Sequence, residues 1–154
     1  MRKHWIIFLT VLGVMSVALY FWAHKPQPVI IPDQGKFREI TGGTTTVKVE
    51  LARTPPEQEK GLSGRTSLPD DHGLLFIFDH ADKYGFWMPD MKFPIDMIWI
   101  DSNWQIVSIA PSVTPESYPH VFTPKAPASY VLEVSSGKAA RSGWHDGAQF
   151  NFAP

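Results

Sequence analysis

The sequence predicts an α+β domain, mainly antiparallel β, built as a barrel-like or rolled sheet with two short helices and preceded by one N-terminal transmembrane helix. Three observations carry this. Among the 154 residues are 14 Pro, 11 Gly and 13% aromatic residues, a turn-rich composition unlike that of a helical bundle. Six to eight short runs of β-branched and aromatic residues are separated by Gly and Pro punctuation, within the usual size of a sheet. Ahead of them, Trp5 to Ala23 is nineteen residues without a charge.

That apolar run matches the ~20 residues a helix needs to cross a ~30 Å hydrocarbon core. Arg2 and Lys3 precede it, His24 and Lys25 follow, and Trp5, Tyr20, Phe21 and Trp22 stand where interfacial aromatics belong. A cleaved signal peptide is the rival reading, but its apolar region is shorter and ends in small residues, whereas bulky Phe21 stands near the end here. Residues 1–25 therefore read as a membrane anchor or uncleaved signal. Two basic residues before the span against one after it favour a single-pass protein whose domain lies outside the cytoplasm, periplasmic or secreted if cleaved. Residues 26–37 contain three Pro and read as an extended tether. Residues 38–154 form one domain, long enough to bury a core without staples.

Within the domain, Thr44 to Ala52 alternates Val47, Val49 and Leu51 against Lys48 and Glu50, the pattern of a half-buried strand, and Gly42-Gly43 turns it back from residues 37–41. Thr54-Pro55-Pro56-Glu57 starts a helix, with Thr54 as N-cap, Pro at the first helical position and Glu57 completing a capping box. Gly61 and Gly64 keep it short. Leu74 to Phe78 is a continuous apolar run, the mark of a strand covered on both faces. Phe86-Trp87-Met88 is a dense apolar triplet halted by Pro89, reading as the wall of a core or the rim of a pocket. From Ile95 a strand puts Ile95, Met97 and Trp99 on one face and Asp96, Ile98 and Ile100 on the other. Residues 101–104 make a hairpin into Gln105 to Ile109. Five Pro between Pro111 and Ala128 predict a long loop. Tyr130 to Val134 is the next strand, Gly137 to Arg141 makes one or two helical turns, and Ala148 to Phe152 is the last strand.

Several of these pieces resemble a known family. Gly61-Leu62-Ser63-Gly64-Arg65, Gly73 to Phe78, Phe86-Trp87-Met88, Pro94 to Asp101, and Tyr130 to Val134 with Gly137 are similar, in order and spacing, to the uncharacterised prokaryotic family called domain of unknown function 192. The resemblance spans about residues 45–152. It implies a compact β-rich fold, often exported behind a signal or anchor, and no established activity. Members usually carry Met where Ser63 and Leu74 stand and Asn near Asp90, so a ligand site lined by those positions would take a different ligand here.

The absence of Cys excludes disulfides, thiolate metal sites and thiol catalysis. A net charge of −1 without basic clusters argues against nucleic acid. No metal-ligand spacing, nucleophile elbow, phosphate loop or dinucleotide fingerprint is present, so no cofactor is expected. Asp96 and Glu133, each mid-strand among apolar neighbours, are the candidates for catalysis if they share a cleft. The competing reading is that each is simply paired inside the barrel. Asp96 needs a cation or several donors, and Arg65 is the expected partner, ahead of Lys92. Trp87, Asp90, Asp96, Arg65 and Glu133 are the candidate binding residues. Three functions follow: a membrane-tethered extracytoplasmic binding or accessory module for a small molecule or glycan, with a cleft near Trp87 and Asp96; a small envelope hydrolase or lyase using Asp96 and Glu133; or a structural partner of another envelope protein.

Overall fold

The computed structural model describes residues 37–153. The anchor, nearly all of the tether and Pro154 lie outside the described residues, and among those described no helix is long and apolar enough to cross a membrane. The chain forms strands β1 (Arg38–Gly42), β2 (Thr45–Ala52), β3 (His72–Asp82), β4 (Ile95–Ile100), β5 (Ile106–Val113), β6 (Ala128–Ser135) and β7 (Phe150–Ala153), with helices α1 (Pro55–Lys60) and α2 (Lys138–Arg141). The strands make one sheet in the order β5-β4-β6-β3-β2-β1-β7. Every pairing is antiparallel except β2 with β3, which α1 connects as a crossover. The sheet rolls into a half-barrel. At one end its two outer strands meet, where the Ile106 amide donates to the Ala148 carbonyl at 2.9 Å and the Phe150 amide to the Trp104 carbonyl at 2.8 Å.

The α1 start behaves as its sequence predicts, with the Glu57 carboxylate accepting from the amides of Thr54 and Arg53, each at 2.9 Å. The expected loop from Pro111 is shorter. β5 runs on to Val113 through Pro111, because an outer strand tolerates a missing amide on its unpaired side. β3 likewise continues beyond Phe78 to Asp82, its last four residues exposed.

The period of two divides the core. Ile40, Val47, Val49, Leu75, Ile98, Ile100, Leu132 and Val134 fill the inside of the roll, with Trp144 and Phe150. The outer face carries Leu74, Phe76, Ile95, Met97, Trp99 and Val131, covered by Leu62, Met88 and Met91 from the loops. All six residues of β4 are buried, since both of its faces are covered.

Gly42 is needed where β1 closes on β7. A Cβ there would stand 2.5 Å from Phe150 Cε1 and 2.6 Å from Trp144 Nε1, whose N–H donates to the Gly42 carbonyl at 3.0 Å. Gly42→Ala is expected to cost about 1–3 kcal/mol by overpacking, read as a lower urea midpoint at unchanged m-value.

Candidate functional site

The outer face of the sheet holds the only buried carboxyl group without a partner among the described residues. The register sets one cross-strand row: Glu50 of β2 beside Leu74 of β3, Leu74 beside Glu133 of β6, and Glu133 beside Met97 of β4. Paired residues point to the same face, so all four side chains emerge on the outer side. Glu133 is only 5% exposed, and its Oε2 is buried with no hydrogen-bond partner. Burial pushes its carboxyl up to about 8, with the Arg65 guanidinium pulling weakly the other way.

A cleft of about 500 Å³ opens over Glu133. Gly61, Leu62 and Ser63, following α1, form one wall. Phe76 and Phe78 of β3 line it from the sheet, and Tyr84, Phe86, Trp87 and Asp90 from the segment before β4. The aromatic rings hold one another: Phe78 stacks on Tyr84 at 3.6 Å between centroids, and Phe86 meets Phe76 edge-on at 4.8 Å. The two walls are tied directly. Ser63 Oγ donates to the Pro89 carbonyl at 2.8 Å, and the Gly64 amide donates to the Asp90 carbonyl at 3.0 Å. Asp90 itself has φ of 50° and pairs with Lys92. At the rim Trp87 is 49% exposed and leans on Tyr118, 5.6 Å away between centroids. Among the described residues Trp87, Tyr118 and Val121 are the exposed large hydrophobic ones, and a Cβ on the cleft-lining Gly85 would stand 2.6 Å from Val121.

Three of the expected site residues, Trp87, Asp90 and Glu133, therefore meet in one cleft. The other two do not. Asp96 is opposite Val134, one residue along from the Met97–Glu133 pair, so it points into the roll while Glu133 points out. The two carboxyl groups lie on opposite faces of the sheet and share no cleft, which corrects the expectation of a catalytic pair. Arg65 does not reach Asp96 either. It stands on the outer face beside Glu50, which it grips with both nitrogens at 2.8 and 3.1 Å. Asp96 is held instead by three amides: Ser112 and Gly137 donate to Oδ1 at 2.8 and 3.0 Å, and Ala139 to Oδ2 at 2.9 Å. The sequence offered no comparable signal for Glu50, which alternates like an ordinary solvent-facing residue, nor for Tyr84, which sits in a turn-rich connector.

The family model of domain of unknown function 192, described as "Uncharacterized ACR", matches residues 37–152. The chain belongs to this family. Solved structures that share the fold described above include two of similar length. A protein of unknown function from Novosphingobium aromaticivorans DSM 12444 is 32% identical, with a TM-score of 0.70 over 84% of this chain and 95% of that one. A protein from Sinorhizobium meliloti 1021, described as a candidate transcription regulator, is 34% identical, with a TM-score of 0.69 over 75% of this chain and 91% of that one. No curated protein matches the chain. Ser63 lines the Glu133 cleft and Leu74 the adjoining hollow that holds Glu50 and Arg65.

Proposed function

We propose that this protein is a membrane-tethered module that binds a small molecule in the cleft above Glu133. One observation carries the reading: a buried carboxyl group with an unpaired oxygen lines an aromatic cleft large enough for a small ligand. A fold seldom leaves such a group unpartnered unless something else completes it. The convergence of the exposed apolar residues on the same rim supports the same reading, because scattered single residues would carry no such meaning. The hydrolase alternative loses its second carboxylate to the far side of the sheet.

The test is a thermal-shift screen of the full chain against small sugars, peptides and amines, repeated on Trp87→Ala. A ligand at 100 times its Kd stabilises the folded state by about 2.7 kcal/mol. A compound that raises the melting temperature of the parent and loses that effect in Trp87→Ala supports the cleft. Equal shifts in both proteins would place binding elsewhere. The tether rests on the nineteen-residue apolar span. The full chain is accordingly expected to stay with membranes through an alkaline wash, and its release into the soluble fraction would sink that part of the reading.

A further inference from the structure

Among the described residues two carboxyl groups are buried, Asp96 and Glu133, and the fold treats them differently. Asp96 receives three amide donors. The part-buried Glu50 has the Arg65 fork. Asp70 has Lys138 and Arg141. Only Glu133 keeps a buried acceptor oxygen with no donor, and it does so among Phe76, Phe78, Tyr84, Phe86 and Trp87.

We propose that the cleft binds a small organic ammonium ion carrying at least one N–H, its cationic head on Glu133 and its apolar body on the aromatic walls. This rests on the binding reading given above and names the ligand class. An ammonium supplies what the site lacks, an N–H donor and a counter-charge, and aromatic faces attract cations as well as hydrocarbon. The charges around the site agree. From α1 come Glu59 and Lys60, and from the opposite wall Asp90, already engaged by Lys92, and neutral Tyr84. From the adjoining hollow come Arg38, Glu57, Arg65 and Glu50, of which Arg65 and Glu50 grip each other. β3 and β4 present uncharged Leu74 and Met97 beside Glu133. Apart from Glu133 these charges balance, and among the described residues no cation pairs with its buried oxygen.

The proposal fixes a proton count. With its carboxyl pushed up to about 8, free Glu133 is mostly protonated at pH 7. Binding an ammonium as an ion pair expels that proton to the buffer, leaving a carboxylate against R–NH₃⁺. Affinity then rises about 50-fold between pH 6 and pH 8, following the ionised fraction. A ligand that accepted a hydrogen bond from protonated Glu133 would instead lose affinity as pH rises.

The experiment uses the full chain in zwitterionic nanodiscs with three probes of one shape: 2-phenylethylamine, 2-phenylethanol and 3-phenylpropionate. The Trp87 indole N–H signal reports occupancy of the cleft, and calorimetry in buffers of different ionisation enthalpy reports protons. The expected result is a Trp87 shift with 2-phenylethylamine, tighter binding at pH 8 than at pH 6, and release of nearly one proton at pH 7. Glu133→Gln, whose fold is checked by its melting curve, should lose the amine preference. A cleft that takes 2-phenylethanol or 3-phenylpropionate as well as the amine, or binds the amine without releasing a proton, overturns the cation and leaves the binding module standing. Absence of a Trp87 shift with all three probes, combined with a thermal-shift screen in which no compound depends on Trp87, overturns both.

Discussion

Asp96→Ala is expected to lower the unfolding free energy by about 3–5 kcal/mol, the largest effect of any single substitution considered. The carboxylate ties two separate segments to β4. It takes the amide of Ser112 at the bulged end of β5, where φ is 51°, and the amides of Gly137 and Ala139 at the start of α2. Removing it leaves these three N–H groups facing an apolar interior. An unsatisfied buried donor costs about 1–3 kcal/mol, less whatever water can reach, and the lost side-chain volume adds a small cavity. Asp96→Asn keeps one acceptor oxygen and should fall between parent and alanine variant. Arg65→Met, by contrast, should show no coupling to Asp96 in a double-mutant cycle, because the two groups lie on opposite sides of the sheet. A coupling above about 1 kcal/mol would contradict that placement.

The second large effect is a dependence on pH with an unusual sign. Glu133 titrates at about 8 in the folded chain against 4.5 in the unfolded one. Between those values the folded state holds the proton and the unfolded state does not, so stability falls as pH rises through this window. Below about pH 4.5 the contribution is fully present, and above about pH 8 it is fully lost. The gap of about 3.5 pH units, at about 1.4 kcal/mol per unit, sets an upper bound of about 5 kcal/mol for the loss. The depressed Glu57, Asp70 and Asp71 carboxyls act in the opposite sense, but only at more acid pH, where the amides at Glu57, Ser135 at Asp70 and His72 at Asp71 let go as they protonate. Urea unfolding should therefore show greatest stability near pH 4–5. In Glu133→Gln the decline from pH 5 to pH 8 should disappear, and the variant should exceed the parent at pH 8. A parent curve that is flat or rising over that window would mean that Glu133 is ionised in the folded chain and has a partner.

Much of the molecule is readable along the chain because it depends on neighbours in sequence. The capping box at Thr54 and Glu57, the apolar strand Leu74 to Phe78, buried as far as Phe76 and half-buried beyond it, and the alternation from Ile95 to Ile100 are local matters of backbone preference and period. Each of these elements forms where its residues predict. Trp87, Asp90 and Glu133 could also be singled out, since a large aromatic beside a proline and a carboxyl in an apolar strand are conspicuous in any register. The long apolar span at the N-terminus is likewise a property of the sequence alone.

What pairs with what was decided only by the tertiary structure. Asp96 and Glu133 look alike in sequence, each a carboxyl group between apolar residues, and a single-residue difference in register sends them to opposite faces. No sequence pattern carries that register, because it is set by which strand lies beside which. The same holds for Arg65, which a glycine-marked corner places over the outer face, within reach of Glu50 and out of reach of Asp96. The unpaired oxygen of Glu133 is a third case. Its lack of a donor is a property of the packed space around it, supplied by β3, β4, the loop after α1 and the Tyr84–Met91 segment together. Burial and hydrogen bonding are shared among segments far apart in the chain, so the folded sheet alone determines which of two equivalent carboxyl groups is satisfied and which is left without a donor.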